Sequence, residues 1–512
     1  MMAGVDGPAC AMAGGAAMAT GKAAAERRAV LRVTLGIAPM WGCLGFRAST
    51  ACDLPMIPSL PFMCLKNLYK TSSPLHLDRS SYVLAVACSL TLFAAPVAAE
   101  PDLPAGWLLR GQATFIEQGH PGFPSPYRGE NSMQAKAMQR NTLSADMVLG
   151  RTLWEGAELI LNPQVSRGFG LSGTRGAAAF PNGEAFRTGS EGPALYLTRA
   201  FIRQTVALSG EGDVAEDDPY RFARPLPRER LTITAGKIAV FDIFDDNRYA
   251  HDPRTQFLNW AFVSAGAFDF ANDAKGYTNG IALEWDNGGW GLRAGAMQVA
   301  KRINTLSLDP KPLRGHQILL QADRFFDWGG HPGALRLLGG WSQTRSQSYA
   351  ALLGGDLGQT ETNLRGGTAG KLMLVVNGEQ ELATNLGGFT RLSWNDGRTQ
   401  QWMYTEMDWA ASAGLVWGGA GWGRAADAVG LAANIGGLSG PHRRFLAAGG
   451  LGFIAGDGRL RYRPELAAEA YYAWGLAPGT VLTADAQLIA NPAHNADRGP
   501  VPVLALRLRG SF

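Results

Sequence analysis

From Val501 to Phe512 the chain alternates by twos to its last residue. Leu504, Leu506, Leu508 and Phe512 fall on one face with Gly510 between them, and Arg507, Arg509 and Ser511 fall on the other. The pattern predicts a strand with an oily side and a charged side. In a soluble sheet the charged side would face water. Near the middle of a membrane an Arg on the lipid face costs roughly 2 to 4 kcal/mol, so both arginines are then expected to face a wet interior. A last strand of this kind ending in an aromatic residue is what outer-membrane barrels present to their assembly machinery, which makes Phe512 a candidate assembly signal. An ordinary edge strand at a C-terminus would alternate in the same way.

The alternation recurs in segments of about ten residues, each bounded by Gly, Pro, Asn or Asp. Trp107 to Ile116 opens the series. Within Ala194 to Leu208, Arg199 and Arg203 share one face while Tyr196, Ala200, Ile202 and Val206 share the other. Ile281, Leu283 and Trp285 alternate with Ala282, Glu284 and Asp286, and Leu482, Ala484, Ala486 and Leu488 oppose Thr483, Asp485 and Gln487. Charge lies away from the oily row each time, so Arg199, Arg203, Glu284, Asp485, Arg507 and Arg509 are expected to face a lumen. Beyond residue 99 no stretch offers roughly 18 uncharged apolar residues, which excludes a helical membrane protein. The fold class predicted is all-β, a transmembrane antiparallel β-barrel of the outer membrane.

The N-terminal end agrees. Ser80 to Ala99 is uncharged, follows Arg79 and finishes in Val97-Ala98-Ala99 before Glu100. Its apolar core, Tyr82 to Ala95, is too short to span a bilayer, and the small residues at its end satisfy the rule for a secretory cleavage site. The mature protein is expected to begin at Glu100. Residues 1 to 62, rich in Ala, Gly and Met, make no sense ahead of a signal peptide, and Met63, followed by Lys66 and Lys70, is the more plausible start. The domains predicted are thus a leader of residues 1–62, a signal peptide of residues 63–99 and a barrel of residues 100–512.

Composition changes once that leader is set aside. All five cysteines precede residue 100, so the remaining chain can hold no disulfide and no thiolate metal site. Lys plus Arg and Asp plus Glu then number 39 each, and the basic pI of the whole chain carries no message about nucleic acid. With the first 99 residues removed, 413 of the 512 remain. At about 10 residues per strand, a short turn on one side and a longer loop on the other, 16 strands take about 26 residues each and 18 strands about 23. A barrel of that size encloses water. Polar tracts rich in Pro and Gly at 117–141, 209–230, 242–277 and 343–370 read as its long loops. Ser132 to Arg140 could form a short helix within the first.

Enzyme signatures are missing. Six scattered histidines follow residue 99 without a His-Glu-x-x-His pair, and there is no Gly-x-Ser-x-Gly elbow or Walker loop. The Gly clusters at 289–295 and 449–456 are spaced too widely for a dinucleotide fingerprint and read as strand glycines at bends. Asp242 to Asn247 resembles a calcium loop only in charge. No catalytic residue, cofactor or metal is expected.

One tract stands apart. Lys237 to Phe262 interleaves charges of both signs, amides and aromatics. A sugar ring has apolar faces edged by hydroxyls, so a sugar path needs aromatic faces for stacking and carboxylate, amide and guanidinium groups for hydrogen bonds. The candidate path residues are Asp245, Asp246, Asn247, Arg248, Arg254, Asn259 and Trp260. Equally, Asp245, Asp246, Arg248 and Arg254 could pair merely to pin a loop.

That tract, with Ala271-Asn-Asp-Ala-Lys-Gly-Tyr277, Ser393-Trp-Asn-Asp-Gly397, Ala447 to Gly458, Tyr462 to Tyr472 and Asn491 to Pro500, resembles the carbohydrate-selective porins of the OprB type over residues 106 to 512. The resemblance implies a 16-stranded barrel in the outer membrane through which monosaccharides diffuse past a sugar-preferring constriction. Its partners would be outer-membrane lipid, small sugars and the barrel-assembly machinery. The leader departs from the family pattern and questions the gene start. A porin for other solutes, a barrel enzyme and an adhesin are the rival readings. Aromatics beside charges of both signs at the constriction would favour sugars over a general pore.

Overall fold

The computed structural model describes residues 103–187, 189–209, 212, 218–355, 357 and 367–512; the expected leader, signal peptide and cleavage after Ala99 lie outside them. Among the described residues, sixteen strands close into one antiparallel barrel. They are β1 Trp107–His120, β2 Met138–Thr152, β3 Ala157–Gly168, β4 Ser190–Ser209, β5 Glu229–Ile238, β6 Thr278–Asp286, β7 Trp290–Gln298, β8 His316–Trp328, β9 His331–Thr344, β10 Ala369–Ala383, β11 Leu386–Asn395, β12 Trp409–Gly418, β13 Ala428–Gly437, β14 Glu465–Ala477, β15 Thr480–Ala490 and β16 Val501–Ser511. Each pairs with its neighbours in sequence, and β1 closes on β16 from Gln112 opposite Ser511 to Gly119 opposite Leu504. Closure leaves no strand edge facing lipid, where an unpaired backbone group would cost several kcal/mol.

The alternation in the sequence becomes two surfaces. On β16, Leu504 and Leu506 are exposed while Val503, Ala505 and Arg507 are buried inside; Leu320, Leu337, Leu374, Leu392 and Leu431 continue the outer apolar belt around the barrel. Trp107, Trp154, Trp290, Trp328 and Trp474 stand exposed near the end where the chain makes short turns, and Trp341 and Trp394 near the other. Two aromatic girdles flanking an apolar band are the outer surface of a membrane-spanning barrel.

Two local expectations change. Tyr196 leaves the oily row, because a bulge at Thr198 puts Arg199 opposite Asn162 but Leu197 opposite Pro163. The extra residue reverses the facing of everything before it. Leu195 and Leu197 take the exposed side, and the Tyr196 hydroxyl instead bonds Asp273. The segment from Ser132 forms no helix: residues 132–137 are irregular and Met138 already begins β2, which pairs with β1 out to His120.

Connections differ sharply between the two ends. At one, 329–330, 384–385 and 478–479 are tight turns; at the other, connections reach 239–277, 345–368 and 438–464. Among the described residues the long ones carry three short α-helices, α1 Trp260–Val263, α2 Tyr349–Leu353 and α3 Gly440–Ala447. The Gly449–Gly456 cluster, read as strand glycines, lies in the 438–464 connection, where Ile454 and Ala455 donate their amides to Glu406. The main apolar core is built from the connections, with Phe180, Phe244, Phe268, Phe270 and Ile454 packing together and against wall residues such as Ile160 and Leu319.

Candidate functional site

After Ile238 the chain leaves β5 and is tied to two other parts of the wall. Asp245 sits in a left-handed turn, φ 58°. Its carboxylate accepts from the Ser264 hydroxyl (2.8 Å), the Ala265 amide (2.7 Å), Asn377 Nδ2 (2.6 Å) and Arg391 Nε (3.2 Å). Lys371 of β10 pairs with Asp269 at 2.8 Å. Farther round the barrel, Glu469 of β14 accepts from the Asn259 amide (2.9 Å), and Arg507 of β16 donates to the Pro253 and Gln256 carbonyls (2.6 Å each). Rooted on β5 and β6 and anchored to β10 and β11 and to β14 and β16, roughly a third of the barrel away each way, 239–277 crosses the lumen. Buried charge is tolerated there because each group meets an opposite charge or several hydrogen bonds.

Several candidate residues are occupied in that anchoring. Asn247 donates to the Asn377 side chain at 2.8 Å and accepts from the Tyr249 amide at 3.0 Å. Asn259 caps α1 through the Ala261 amide (3.0 Å) and reaches Gln487 of β15 (3.2 Å). Arg248 is exposed and its amide bonds Glu379 at 2.7 Å. Asp485 accepts from Gln487 at 3.0 Å. Arg509 is half-buried near the end of β16.

The others border one cavity of about 1140 Å³ left beside the crossing connection: Asp246, Arg254, Trp260, Arg199, Arg203 and Glu284. Two runs of side chains define it. The first is aromatic and continuous, with Phe241 edge-on to Phe270 (5.6 Å), Phe270 against Tyr404 (4.6 Å) and Tyr404 stacked on Trp260 (5.7 Å, 7° between planes). Trp260 is held by a hydrogen bond from its indole to the Asn182 carbonyl (2.9 Å). The second run is ionic. Arg199 grips Asp242 with two 2.6 Å bonds, Arg254 meets Glu184 at 3.0 Å, and Arg203 meets Glu158 at 2.7 Å. Asp246 lies 3.7 Å from His251. Burial alone would raise its carboxyl, but His251, Arg336 and Arg293 hold it below the usual carboxylate range. Eight Lys or Arg and seven Asp or Glu border the cavity, so the passage has charge of both signs and little net field.

Tyr404, Phe270 and Tyr220 were absent from the sequence-based candidates. Tyr404 stands in Gln400-Gln-Trp-Met-Tyr404, a short tract that mixes aromatics and amides as Lys237 to Phe262 does. Nothing local marks Tyr220, because its place depends on how its connection folds.

A sixteen-stranded barrel spanned from within by one of its own connections, with a wet passage left beside it, is a porin. The chain belongs to the carbohydrate-selective porin, OprB family, whose profile matches residues 132–512. It is a channel rather than an enzyme, and its place is the outer membrane. Among solved structures it is similar to the high-pH structure of Pseudomonas putida OprB, with 16% identity over 80% of this chain and 94% of that one and a TM-score of 0.60. The outer membrane channel DcaP of Acinetobacter baumannii aligns at 10% identity over 81% of this chain and 100% of that one, TM-score 0.44. At 16% identity the likeness to the Pseudomonas putida protein is one of fold. No curated protein sequence matches the chain.

Proposed function

We propose that the pore passes glucose-sized carbohydrates by passive diffusion in preference to other neutral solutes of equal size. The observation that carries this reading is the run Phe241, Phe270, Tyr404 and Trp260 lying in one cavity with Arg199, Arg254 and Asp246. A pyranose offers apolar C–H faces to such rings and a rim of hydroxyls to the ionic groups. The hold must be weak, since a tightly bound solute blocks a channel instead of crossing it. Liposome swelling tests the reading: glucose is expected to enter faster than an uncharged polyol of the same size. Equal rates would make the channel a general porin.

The same reading includes export. The mature chain is taken to start at Glu100, and Phe512 to mark the last strand for the barrel-assembly machinery. Mass spectrometry of the membrane-inserted form is expected to find Glu100 at the N-terminus, and residues 1–99 still attached would sink that assignment.

A further inference from the structure

We propose that Tyr220 builds a second saccharide contact, near the short-turn end of the passage, on an arm that enters the lumen from that side; this rests on the sugar-diffusion reading above.

The β4–β5 connection is the exception at its end of the barrel. It occupies 210–228, where 329–330, 384–385 and 478–479 suffice elsewhere. Its described part, 218–228, is fastened to the inner wall. Arg110 of β1 donates to the Asp218 carbonyl at 2.9 Å, and Arg203 of β4 donates to the Tyr220 carbonyl at 3.0 Å. The Phe222 ring lies over Gly150 of β2, where a Cβ would come within 3.0 Å of the ring, and it packs near Leu108. Gly150 and Leu108 belong to the inward rows of β2 and β1, as Val148 and Thr114 do. Residues 218–222 therefore lie against the inside of the wall at β1, β2 and β4.

Its position brings Tyr220 onto Arg199, whose guanidinium carbon is 3.8 Å from the ring centroid. Arg199 is the residue that also grips Asp242 of the crossing connection. The two inserted segments, one from each end of the barrel, thus meet at one arginine. Stacking fixes the plane of the phenol ring, and Tyr220 borders the cavity together with Asp218, Arg221 and Arg228. An aromatic surface ringed by groups of both charges is the chemistry of the Trp260–Tyr404 pair repeated farther along. On this proposal a solute that leaves that pair toward the short-turn mouth has Tyr220 within the same cavity to contact. Several weak contacts in series let a solute be recognised without being trapped.

Single channels of the full chain in a planar bilayer, with glucose added to one compartment at a time, test this. Tyr220→Ala is expected to lower the rate of glucose blockage from the short-turn side by roughly three- to tenfold, the range of one lost aromatic contact. Addition from the long-loop side should change less than about twofold, and Tyr220→Phe should behave like the parent. If Tyr220→Ala fails to assemble, Tyr220→Leu keeps the apolar bulk without the ring and provides the same comparison. Blockage unchanged from both sides in the Ala or Leu variant overturns the proposal, as does an equal loss in Tyr220→Phe. Loss of blockage in Trp260→Ala alongside an unaffected Tyr220→Ala would leave the sugar reading standing without this contact. A parent channel that glucose never blocks overturns both.

Discussion

Arg391 on β11 grips Asp245, in the connection that narrows the pore, at two points. Its Nε meets the Asp245 carboxylate at 3.2 Å and its Nη2 the Asp245 carbonyl at 3.0 Å, while the remaining donors reach the carbonyls of Ala250 and Phe262 at 2.7 Å. Both side chains are at most 1% exposed. Removing the cation leaves a buried carboxylate without its partner, a change worth about 3 to 5 kcal/mol. Arg391→Ala is expected to free this side of the crossing connection, raise the open-channel conductance and reduce the preference for glucose while the barrel still assembles. Arg391→Lys should recover little, because one ammonium cannot reach acceptors spread over three residues. Parent-like conductance and selectivity in Arg391→Ala would show that the anchor is dispensable.

The stacked pair Trp260 and Tyr404 comes from two different connections, so its geometry depends on both being inserted. Trp260→Leu and Tyr404→Leu keep an apolar side chain and remove a ring face. Each is expected to weaken glucose-dependent blockage of the ion current by roughly three- to tenfold. Open conductance should be unchanged or larger, since no charge is lost. A current noise analysis over a glucose titration measures this, and blockage equal to the parent in both variants counts against the aromatic run as the sugar contact.

A pH dependence is expected at the long-loop end. His442 of α3 lies between two carboxylates, Nδ1 3.1 Å from Asp408 and Nε2 3.1 Å from Glu406, and stacks on Tyr349 of α2 at 4.3 Å. One imidazole thereby ties together the 345–368, 396–408 and 438–464 connections. Burial works against its charge, yet Asp408 and Glu406 push it up to about 9 from 6.5. Burial likewise opposes the charge of Asp408, but His442, the Ser439 amide and Lys371 hold it down at about 2 from 3.8. A raised His contributes stability below its ordinary value and loses it as pH rises through 9; a depressed Asp contributes above its ordinary value and loses it as pH falls through 2. Resistance of these connections to protease should therefore be greatest between about pH 4 and 6.5 and decline toward pH 9. His442→Gln should flatten the upper limb, and an unaltered upper limb in that variant would assign it elsewhere.

What was legible in the chain follows from the range over which each signal acts. Alternation reports burial residue by residue, so Arg199, Arg203 and Glu284 could be placed on the inner face from their own neighbours. The bulge at Thr198 could not, because an added residue in one strand has meaning only against the partner strand that lacks it. The crossing connection announced itself by composition, yet composition does not separate Asp245, consumed by Arg391, from Asp246, which borders the cavity. That split is set by residues more than a hundred positions away, Asn377 and Arg391 among them. Tyr404 and Tyr220 join the site only through the folding of other connections, and periodicity carries no trace of that.

Phe512 extends the β1–β16 seam by one further pair. The Phe512 amide donates to the Gly111 carbonyl and the Gly111 amide to the Phe512 carbonyl, each at 3.0 Å, and the ring lies directly over Gly111. Glycine there has a packing reason: any Cβ would collide with the ring. Phe512 thus completes the β1–β16 seam while leaving 41% of its surface toward the membrane interface. Deleting Phe512 removes two backbone bonds and an interfacial aromatic anchor together, and is expected to lower the heat-modifiable, barrel-assembled fraction in the membrane. Phe512→Ala retains the backbone bonds and should fall between the deletion and the parent, whereas Phe512→Tyr should match the parent. Gly111→Val displaces the ring without touching Phe512 and should resemble Phe512→Ala. Assembly at the parent level in the deletion, read by gel mobility before and after heating, would remove Phe512 from the assembly step.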